Sequence, residues 1–261
     1  MTNHWNTIRD IDVKKNVRDK MNILAIGNSF SQDATRYLAG IAEADGVSMT
    51  VENLYIGGCP LSRHFSNIQS GEKAYLMEID GEDTGVYVSV EEALLSRKWD
   101  YITLQQVSND SINYNTYQPY LNDIYEYVKK LAPDAKIVIH QTWAYEEGSQ
   151  RLCEELKYKK QHEMFSDIKA AYEKAAEAID AYMIIPSGEM FQGLIKRGFS
   201  IHRDTFHASL GLGRYALGLL WYVMLTGNSV LDNKFSDFDE PVSEETVRII
   251  KEEVEIFRKR D

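Results

Sequence analysis

The sequence has 261 residues, of which 44% are hydrophobic, and its formal net charge is -11 at pH 7. This length and apolar content suit one α/β domain with a substantial core. The acidic balance and the lack of a dense Lys/Arg cluster argue against a nucleic-acid partner, and the two separated cysteines, Cys59 and Cys153, give neither a disulfide framework nor a structural zinc motif.

The N-terminal residues are too polar for the apolar core of a signal peptide, as the segment MTNHWNTIRDIDVKKNVRDK shows. No apolar run approaches the ~20 residues that cross a bilayer. We therefore expect a cytoplasmic protein with no membrane partner, unless a signal was removed before the numbering begins. Residues 1–20 are predicted to form an arm, followed by a single domain over 21–261. No feature of the sequence predicts an oligomeric state.

Strand and helix patterns alternate along the chain. Short segments rich in Ile, Val, Leu and Tyr, bounded by turn formers, predict buried strands at 22–26, 49–56, 101–106, 136–140 and 182–185. Apolar residues at helical spacing predict helices at 32–44, 90–97, 117–131 and 150–181. The alternation predicts an α/β fold with a central parallel sheet that is covered on both faces.

Residues 73–90 depart from this alternation. The segments AYLMEI and VYVSV flank the turn-forming DGEDTG, which predicts an inserted hairpin. Ser89 followed by Glu92 is a capping-box pattern that favours a helix start at 90. Beyond the last strand, an apolar helix is predicted over 210–225 and an amphipathic helix over 243–258 with a serine cap.

The loops that follow the predicted strands carry the candidate chemistry. Ligands of open parallel α/β sheets bind at the carboxyl ends of the strands, so these loops should meet at one edge. They supply a hydroxyl, glycine amides, side-chain amides, an aromatic ring, and a carboxylate three residues before an imidazole. Acyl transfer needs this set of groups. The segments are 27–31, 57–60, 105–110, 141–143 and 204–207.

Ser29 follows the first strand and precedes a helix, where backbone N–H groups favour developing negative charge. Either Ser29 is a nucleophile, or it only caps the helix. Ser31 could take the capping role and leave Ser29 to react. Because Ser31 occupies the position of the second glycine of G-x-S-x-G, an ordinary α/β-hydrolase is disfavoured.

Asp204 and His207 can act as the orienting carboxylate and the general base for a serine. Each also has a structural interpretation, as a turn residue and as a histidine bonded to the backbone. A third interpretation is a metal site formed by His202, Asp204 and His207. We expect neither a metal nor another cofactor. A histidine base must be neutral, so activity should fall as the pH drops through ~6.5, where an ordinary histidine titrates.

An oxyanion would be held by amides from the second and third loops. A glycine at Gly58, or at its neighbour Gly57, lets a backbone N–H approach a substrate oxygen, although both could simply form a turn. A side-chain amide after the third strand would add a further donor. Asn109, Gln106 and Gln105 are all candidates.

Three side chains are predicted to contact substrate, namely Asn28, Gln105 and Trp143. Trp143 could instead be a packing residue, because buried tryptophans dominate many cores. Cys59 is interpreted as a small packing residue. Its position beside Gly58 also makes it a candidate for chemical labelling.

The order of these loops resembles the SGNH (GDSL-like) hydrolase superfamily, whose four blocks supply a nucleophilic serine, an oxyanion glycine, an oxyanion asparagine and a D-x-x-H pair. The block G-D-S is similar to GNS at 27–29, with Asn28 in place of the aspartate. The second block corresponds to Gly58 or Gly57. The third, G-x-N-D, is similar to VSND at 107–110, which lacks the glycine.

The last block gives the most specific match, because DTFHASLGLGRY at 204–215 resembles D-G-x-H-P-S-x-x-G-x-Y. The chain looks closest to the DUF4886-type bacterial branch, which shares GNSFS and a Gln-rich third block. This resemblance implies a flavodoxin-like three-layer α/β/α sandwich. It also implies a serine esterase that uses Ser29, His207 and Asp204 on small O-acyl esters, often O-acetyl groups of saccharides. The alternative is an inactive protein of this fold that binds a saccharide or another small molecule.

Overall fold

The computed structural model describes residues 20–259, so the predicted arm lies outside the described residues except for Lys20. Seven strands are present in this part of the chain: β1 (Met21–Gly27), β2 (Met49–Tyr55), β3 (Tyr75–Ile79), β4 (Glu82–Val88), β5 (Tyr101–Leu104), β6 (Lys136–Gln141) and β7 (Met183–Pro186). The α-helices are α1 (Ser29–Thr35), α2 (Leu38–Ala44), α3 (Leu61–Ser70), α4 (Val90–Ser96), α5 (Tyr120–Leu131), α6 (Gln161–Ala178), α7 (Ser187–Lys196), α8 (Leu212–Thr226) and α9 (Glu244–Arg258).

All seven strands form one sheet in the order β4-β3-β2-β1-β5-β6-β7. Five strands are parallel to one another, namely β2, β1, β5, β6 and β7. At the edge of the sheet, β3 pairs antiparallel with β2, and β4 pairs antiparallel with β3. The parallel part has the flavodoxin-like order, in which the chain winds away from β1 in both directions. The predicted α/β fold with a central parallel sheet is therefore confirmed, and its ligand crevice is expected at the carboxyl end of β1.

The core lies on both faces of the sheet. In β1 the residues Ile23, Leu24, Ala25 and Ile26 are buried, as expected for a parallel strand with helices above and below it. The largely buried helix α8 packs against α1, α2, α7 and α9, while α3, α4 and α5 pack against one another. No helix within residues 20–259 has the length and apolar character needed to span a bilayer.

Two predicted helices are each divided. The segment 32–44 contains α1 and α2, because Asn28 starts α1 early and Tyr37 leaves the helix to bond Leu210 through its hydroxyl. The segment 150–181 contains a short π-helical turn and then α6. The backbone between them passes through Lys157, whose φ of 65° lies in the left-handed region that interrupts a helix.

Helices α3 and α7 were not predicted. Helix α3 follows the loop IGGCP at 56–60, and α7 begins directly after β7 within the segment PSG at 186–188; in both places Gly, Pro and Ser favour a turn. The hairpin predicted at 73–90 corresponds to β3 and β4, and β3 extends the sheet by pairing antiparallel with β2. The capping box of Ser89 and Glu92 is confirmed, as is the cap of α9 by Ser243.

Candidate active site

An open pocket of about 390 Å³ lies at the carboxyl ends of the parallel strands. The loops after β1, β2, β5 and β6 contribute to it, together with the loop before α8. Its lining consists of Asn28, Ser29, Phe30, Gln32, Tyr55, Gly57, Gly58, Val107, Ser108, Asn109, Tyr145, Arg151, Arg203, Phe206 and His207. The structure thus brings four of the five candidate segments together in one pocket. The fifth segment, 141–143, does not line it, and the loop after β6 contributes Tyr145 and Arg151 instead.

Ser29 is the first residue of α1, and Asn28 is the N-cap of that helix. The Asn28 side chain accepts a hydrogen bond from the backbone N–H of Phe30 at 3.0 Å, which is the usual capping interaction. The expectation that a serine caps this helix is therefore wrong. The hydroxyl of Ser31 is buried and donates to the carbonyl of Asn28 at 2.8 Å, so it contributes to packing beneath the pocket.

The Ser29 hydroxyl lies 2.8 Å from Nε2 of His207. On the other side of the ring, Nδ1 of His207 lies 2.8 Å from Oδ2 of Asp204. The carboxylate can accept from Nδ1–H, and Nε2 is then free to accept the proton of the serine. Partial burial by itself raises the pKa of Asp204, but the hydrogen bonds from His207 outweigh it and lower that pKa below its ordinary value. The lowered pKa keeps the Asp204 carboxylate ionised at neutral pH.

The loop from Asp204 to His207 turns through a strained residue. Thr205 has a φ of 75°, which is rare for a β-branched side chain. This turn lets the backbone N–H of His207 donate to Oδ1 of Asp204 at 2.9 Å, while the ring bonds the other carboxylate oxygen. Thr205 stands where the SGNH motif D-G-x-H has glycine. A glycine at this position would adopt the positive φ without strain.

We expect Thr205→Gly to raise the free energy of unfolding by roughly 0.5–1 kcal/mol, because relief of backbone strain outweighs the added freedom of glycine in the unfolded chain. Thr205→Ala should give no such gain, since alanine keeps the unfavourable φ. Urea denaturation of the three proteins measures the difference. A loss of stability in Thr205→Gly would mean that the threonine side chain contributes more than the strain costs.

A buried carboxylate joins α1 to the loop that carries His207. Asp33 is fully buried and accepts hydrogen bonds from Arg203 at 2.9 Å, from Nε of Arg214 at 2.8 Å and from the backbone N–H of Ala208 at 3.1 Å. Since Ser29 and Asp33 are four residues apart, they share one face of α1. The helix therefore holds the nucleophile candidate and the anchor of the histidine loop side by side.

Backbone and side-chain amides face the pocket beside Ser29. Within residues 20–259, the N–H groups of Ser29 and Gly58 have no hydrogen-bond acceptor. Gly58 has a φ of 61°, a left-handed conformation that glycine adopts without strain. Asn109 is exposed at the pocket wall, and one of its amide protons is donated to Asp110 at 2.8 Å. Its second amide proton is available to a ligand.

The structure places Gln106 behind the pocket wall. Its oxygen accepts from the backbone N–H groups of Leu61 and Val107, each at 2.9 Å, and its nitrogen donates to the carbonyl of Thr116 at 3.0 Å. Its amide is therefore used to hold three segments together. Of the candidate side-chain amides, only Asn109 lines the pocket.

Gln105 and Asn28 belong to one buried network. The Gln105 nitrogen donates to the side-chain oxygen of Asn28 at 2.7 Å, and its oxygen lies 2.7 Å from Nδ1 of His140. The Asn28 nitrogen donates to the carbonyl of Cys59 at 3.2 Å. An aspartate at position 28 has no N–H to donate and could not make that last bond. The asparagine of GNS thus links the glutamine after β5 to the loop after β2. Although Asn28 borders the pocket, both atoms of its amide are engaged.

Trp143 supports the pocket from below. Its ring is buried, stacks on Phe30 at 4.2 Å and donates through Nε1 to the carbonyl of Phe206 at 2.8 Å. Cys59 is also fully buried, and burial raises the pKa of its thiol to about 12. The suggestion that Cys59 could be labelled is therefore wrong for the folded protein.

His202 lies outside the pocket lining. Its Nε2 is 3.0 Å from the carbonyl of Ala144, and burial lowers its pKa to about 4. Residues 20–259 contain no group of three or more His, Cys, Asp or Glu side chains arranged to hold a metal ion. The pocket residues that sequence reasoning missed include Tyr55, Arg151 and Phe206. Arg151 and Tyr55 lie outside the recognised motifs, and Phe206 is the second of the two variable residues of D-x-x-H.

Comparison with known proteins supports the family assignment. The model of the family "Domain of unknown function (DUF4886)" matches residues 22–254. The crystal structure of a DUF4886 family protein from Bacteroides uniformis is 34% identical, with a TM-score of 0.84 over 90% of this chain and 93% of that chain. No curated protein matches the chain.

More distant structures share the fold. A protein from Slackia heliotrinireducens, named as a proposed SGNH hydrolase, is 22% identical with a TM-score of 0.58, covering 79% of this chain and all 100% of that chain. The lipase/acylhydrolase from Enterococcus faecalis is 13% identical with a TM-score of 0.51, covering 83% of this chain and 100% of that chain. The fold is thus that of the SGNH hydrolases, and the chain belongs to the DUF4886 family.

Proposed function

We propose that the protein is a serine esterase that hydrolyses small O-acyl esters, with O-acetyl esters of saccharides as the expected substrate class. The observation that carries this proposal is the continuous hydrogen-bonded series from Ser29 through His207 to Asp204, with both distances at 2.8 Å. This series lies in an open pocket that is also lined by Ser29 and Gly58, whose backbone N–H groups have no hydrogen-bond acceptor within residues 20–259. Resemblance to lipases and acylhydrolases at low identity supports hydrolysis in general.

In the first half of the reaction, Oγ of Ser29 attacks the ester carbonyl carbon and its proton passes to Nε2 of His207. The carbonyl oxygen becomes negatively charged and accepts from the N–H groups of Ser29 and Gly58 and from the Asn109 amide. The bond to the alcohol oxygen then breaks, and Nε2 returns the proton to that oxygen. The acyl group stays on Ser29.

In the second half, water attacks the acyl carbon and gives a proton to Nε2 of His207. Collapse of the new oxyanion breaks the bond to Oγ of Ser29, which takes the proton back, and the carboxylic acid leaves. Asp204 stabilises the imidazolium in both halves and keeps the ring in the reactive tautomer.

The alternative is a ligand-binding protein of the same fold without turnover. Asn28 in place of the usual aspartate is one argument for it. However, the three hydrogen bonds of Asn28 give that residue a structural reason, so its presence does not favour loss of activity. A pure binding protein would have no physical need for an ionised carboxylate behind an imidazole that contacts a hydroxyl.

The proposal is tested by treating the protein with a fluorophosphonate and with p-nitrophenyl acetate, both in EDTA. We expect a covalent adduct on Ser29, identified by peptide mass spectrometry, and hydrolysis that EDTA leaves unchanged. Activity that disappears in EDTA would support the metal interpretation of His202, Asp204 and His207. Neither adduct nor hydrolysis would favour the binding protein, which equilibrium binding of acetylated saccharides would then test.

We expect Asn109→Ala to lower kcat by roughly 10²–10³-fold with little change in KM, because the amide acts on the oxyanion of the transition state. Its melting temperature should stay close to that of the parent, since Asn109 is exposed. Gln106→Ala provides the contrast. It should lower the melting temperature, because three backbone groups lose their partner. Unchanged kcat in Asn109→Ala would remove that residue from the oxyanion site.

A further inference from the structure

We infer that Arg151 binds an anionic group on the alcohol part of the substrate, so that the preferred substrate is an ester of an acidic alcohol such as an acylated sugar acid. This inference rests on the proposed esterase function. Arg151 lines the pocket but takes no part in the catalytic steps proposed above, so it is available to select the substrate.

Arg151 lies in the pocket wall, in the π-helical turn at Arg151–Glu155. Its guanidinium sits over the ring of Phe206, with Cζ 4.1 Å from the ring centroid. The Phe206 ring in turn contacts His207, with the two centroids 3.8 Å apart. The cation therefore lies against the ring that packs on His207, in a cation–π contact.

The charge of Arg151 is not neutralised by a carboxylate. None of the ion pairs formed within residues 20–259 involves this guanidinium, and Glu155, one turn further along, is exposed. Arg203, the other arginine in the pocket, is paired with the buried Asp33 and also donates to the carbonyl of Ala208. Arg151 is thus the pocket arginine whose charge is not paired with a carboxylate of residues 20–259, and its guanidinium keeps donors for a ligand beside its hydrogen bond to Tyr145.

The pocket lining contains two arginines and no carboxylate, although the protein is acidic. The chain has a net charge of -11, yet no Asp or Glu is among the residues that line the pocket. Burial raises the pKa of the Tyr145 hydroxyl in the pocket wall, and hydrogen bonds with Ser108 and Arg151 and the Arg151 charge act in the opposite direction. The guanidinium is therefore held against the pocket wall by Tyr145 as well as by Phe206. A neutral saccharide would accept only single hydrogen bonds from the guanidinium, whereas a carboxylate would form the stronger two-pronged ion pair.

The position of Arg151 indicates which half of the ester it contacts. The alcohol oxygen receives its proton from Nε2 of His207, so the alcohol part lies on the His207 side of the carbonyl carbon. The oxyanion faces Gly58 and Asn109 instead. Because Arg151 stacks on Phe206 beside His207, its guanidinium faces the alcohol part.

The test compares 4-acetoxybenzoate with its methyl ester, which differ by one charge on the leaving alcohol. We expect Arg151→Gln to lower kcat/KM for the anionic substrate by roughly 10–100-fold, the size of a hydrogen bond to a charged group, and to change the neutral one less than threefold. Arg151→Lys should recover part of the loss. Lys174→Gln, which removes an exposed charge from α6, should change neither substrate.

Comparing each variant with the parent protein cancels the intrinsic reactivity of the two esters. An equal loss for both substrates, or no loss for either, would overturn the inference, since a residue that only supports Phe206 cannot distinguish them. If the parent protein hydrolyses neither ester, the proposed function fails, and calorimetric binding of 4-hydroxybenzoate and its methyl ester still tests the inference. Tighter binding of the acid that is lost in Arg151→Gln supports anion recognition. Equal affinity for the two overturns it.

Discussion

Ser29→Ala should lower kcat/KM for an acetyl ester by about 10⁴-fold or more, which is the range seen when the nucleophile of a catalytic triad is removed. The remaining groups can still bind the ester and polarise its carbonyl. Without a hydroxyl, however, no acyl group is transferred to the protein, so the two-step route is lost. Initial rates with p-nitrophenyl acetate, corrected for spontaneous hydrolysis, measure the effect.

Ser31→Ala is the matched control, because Ser31 lies on the same helix two residues away and its hydroxyl faces the interior. Its hydroxyl bonds the carbonyl of Asn28 and lies 2.7 Å from the side-chain oxygen of Asn53. We expect this variant to lose roughly 1 kcal/mol of stability and to keep activity within a few fold. If Ser31→Ala lost activity and Ser29→Ala kept it, the assignment of the nucleophile would be wrong.

The triad residues should also act as a unit. His207→Ala and the double variant with Ser29→Ala are each expected to be about as slow as Ser29→Ala alone, because the groups take part in the same proton transfer. Asp204→Asn should lower kcat/KM less than Ser29→Ala or His207→Ala, because removal of the carboxylate leaves nucleophile and base in place. If kcat/KM of the double variant falls by the product of the two single-variant factors, the two residues act independently.

Much of this architecture follows from local patterns in the sequence. The buried strand 22–26, the parallel alternation and the capping box at Ser89 depend on apolar spacing and on side chains a few residues apart, and the sequence displays both. The pairing of Ser29 with His207 was also predictable. Motif order places both at the carboxyl edge of the sheet, although 178 positions separate them in the chain.

The choice among the candidate amides could not be made from the sequence. Gln105, Gln106 and Asn109 all follow β5. The two glutamines are held by contacts with His140 and Leu61, which lie 35 and 45 residues away along the chain, and with Thr116, ten residues away. The direction of each side chain depends on where β5 ends. It ends at Leu104, two residues earlier than predicted, and the glutamines then lie in the interior.

Arg151 and Asp33 show a related limit. A lone arginine before a helical pattern is most simply a surface residue, and only the fold brings it against Phe206. Likewise, nothing near Asp33 in the sequence indicates a buried anion. Its partners Arg203 and Arg214 lie 170 and 181 residues further along the chain.

Asp33→Ala should lower the free energy of unfolding by roughly 3 kcal/mol, because it leaves Arg203 without its carboxylate and Arg214 with only one. Removing one member of a buried ion pair typically costs about 3–5 kcal/mol. The low end applies here, since Arg214 keeps Asp239 and both guanidiniums are partly exposed. Asp232→Ala, at an exposed position, should change stability by less than about 0.5 kcal/mol.

The cause of the Asp33 loss can be separated by a double-mutant cycle with Arg203→Met. If the unpaired cation causes the destabilisation, the double variant should be more stable than the sum of the two single losses predicts. In contrast to the free energy of unfolding, kcat should not recover in the double variant. The bond from Ala208 to Asp33 positions the His207 loop on α1, and the cycle does not restore it. We therefore expect Asp33→Ala and the double variant to share a low kcat, measured well below their melting temperatures. Recovery of kcat together with stability would show that the carboxylate supports only the fold and does not position His207.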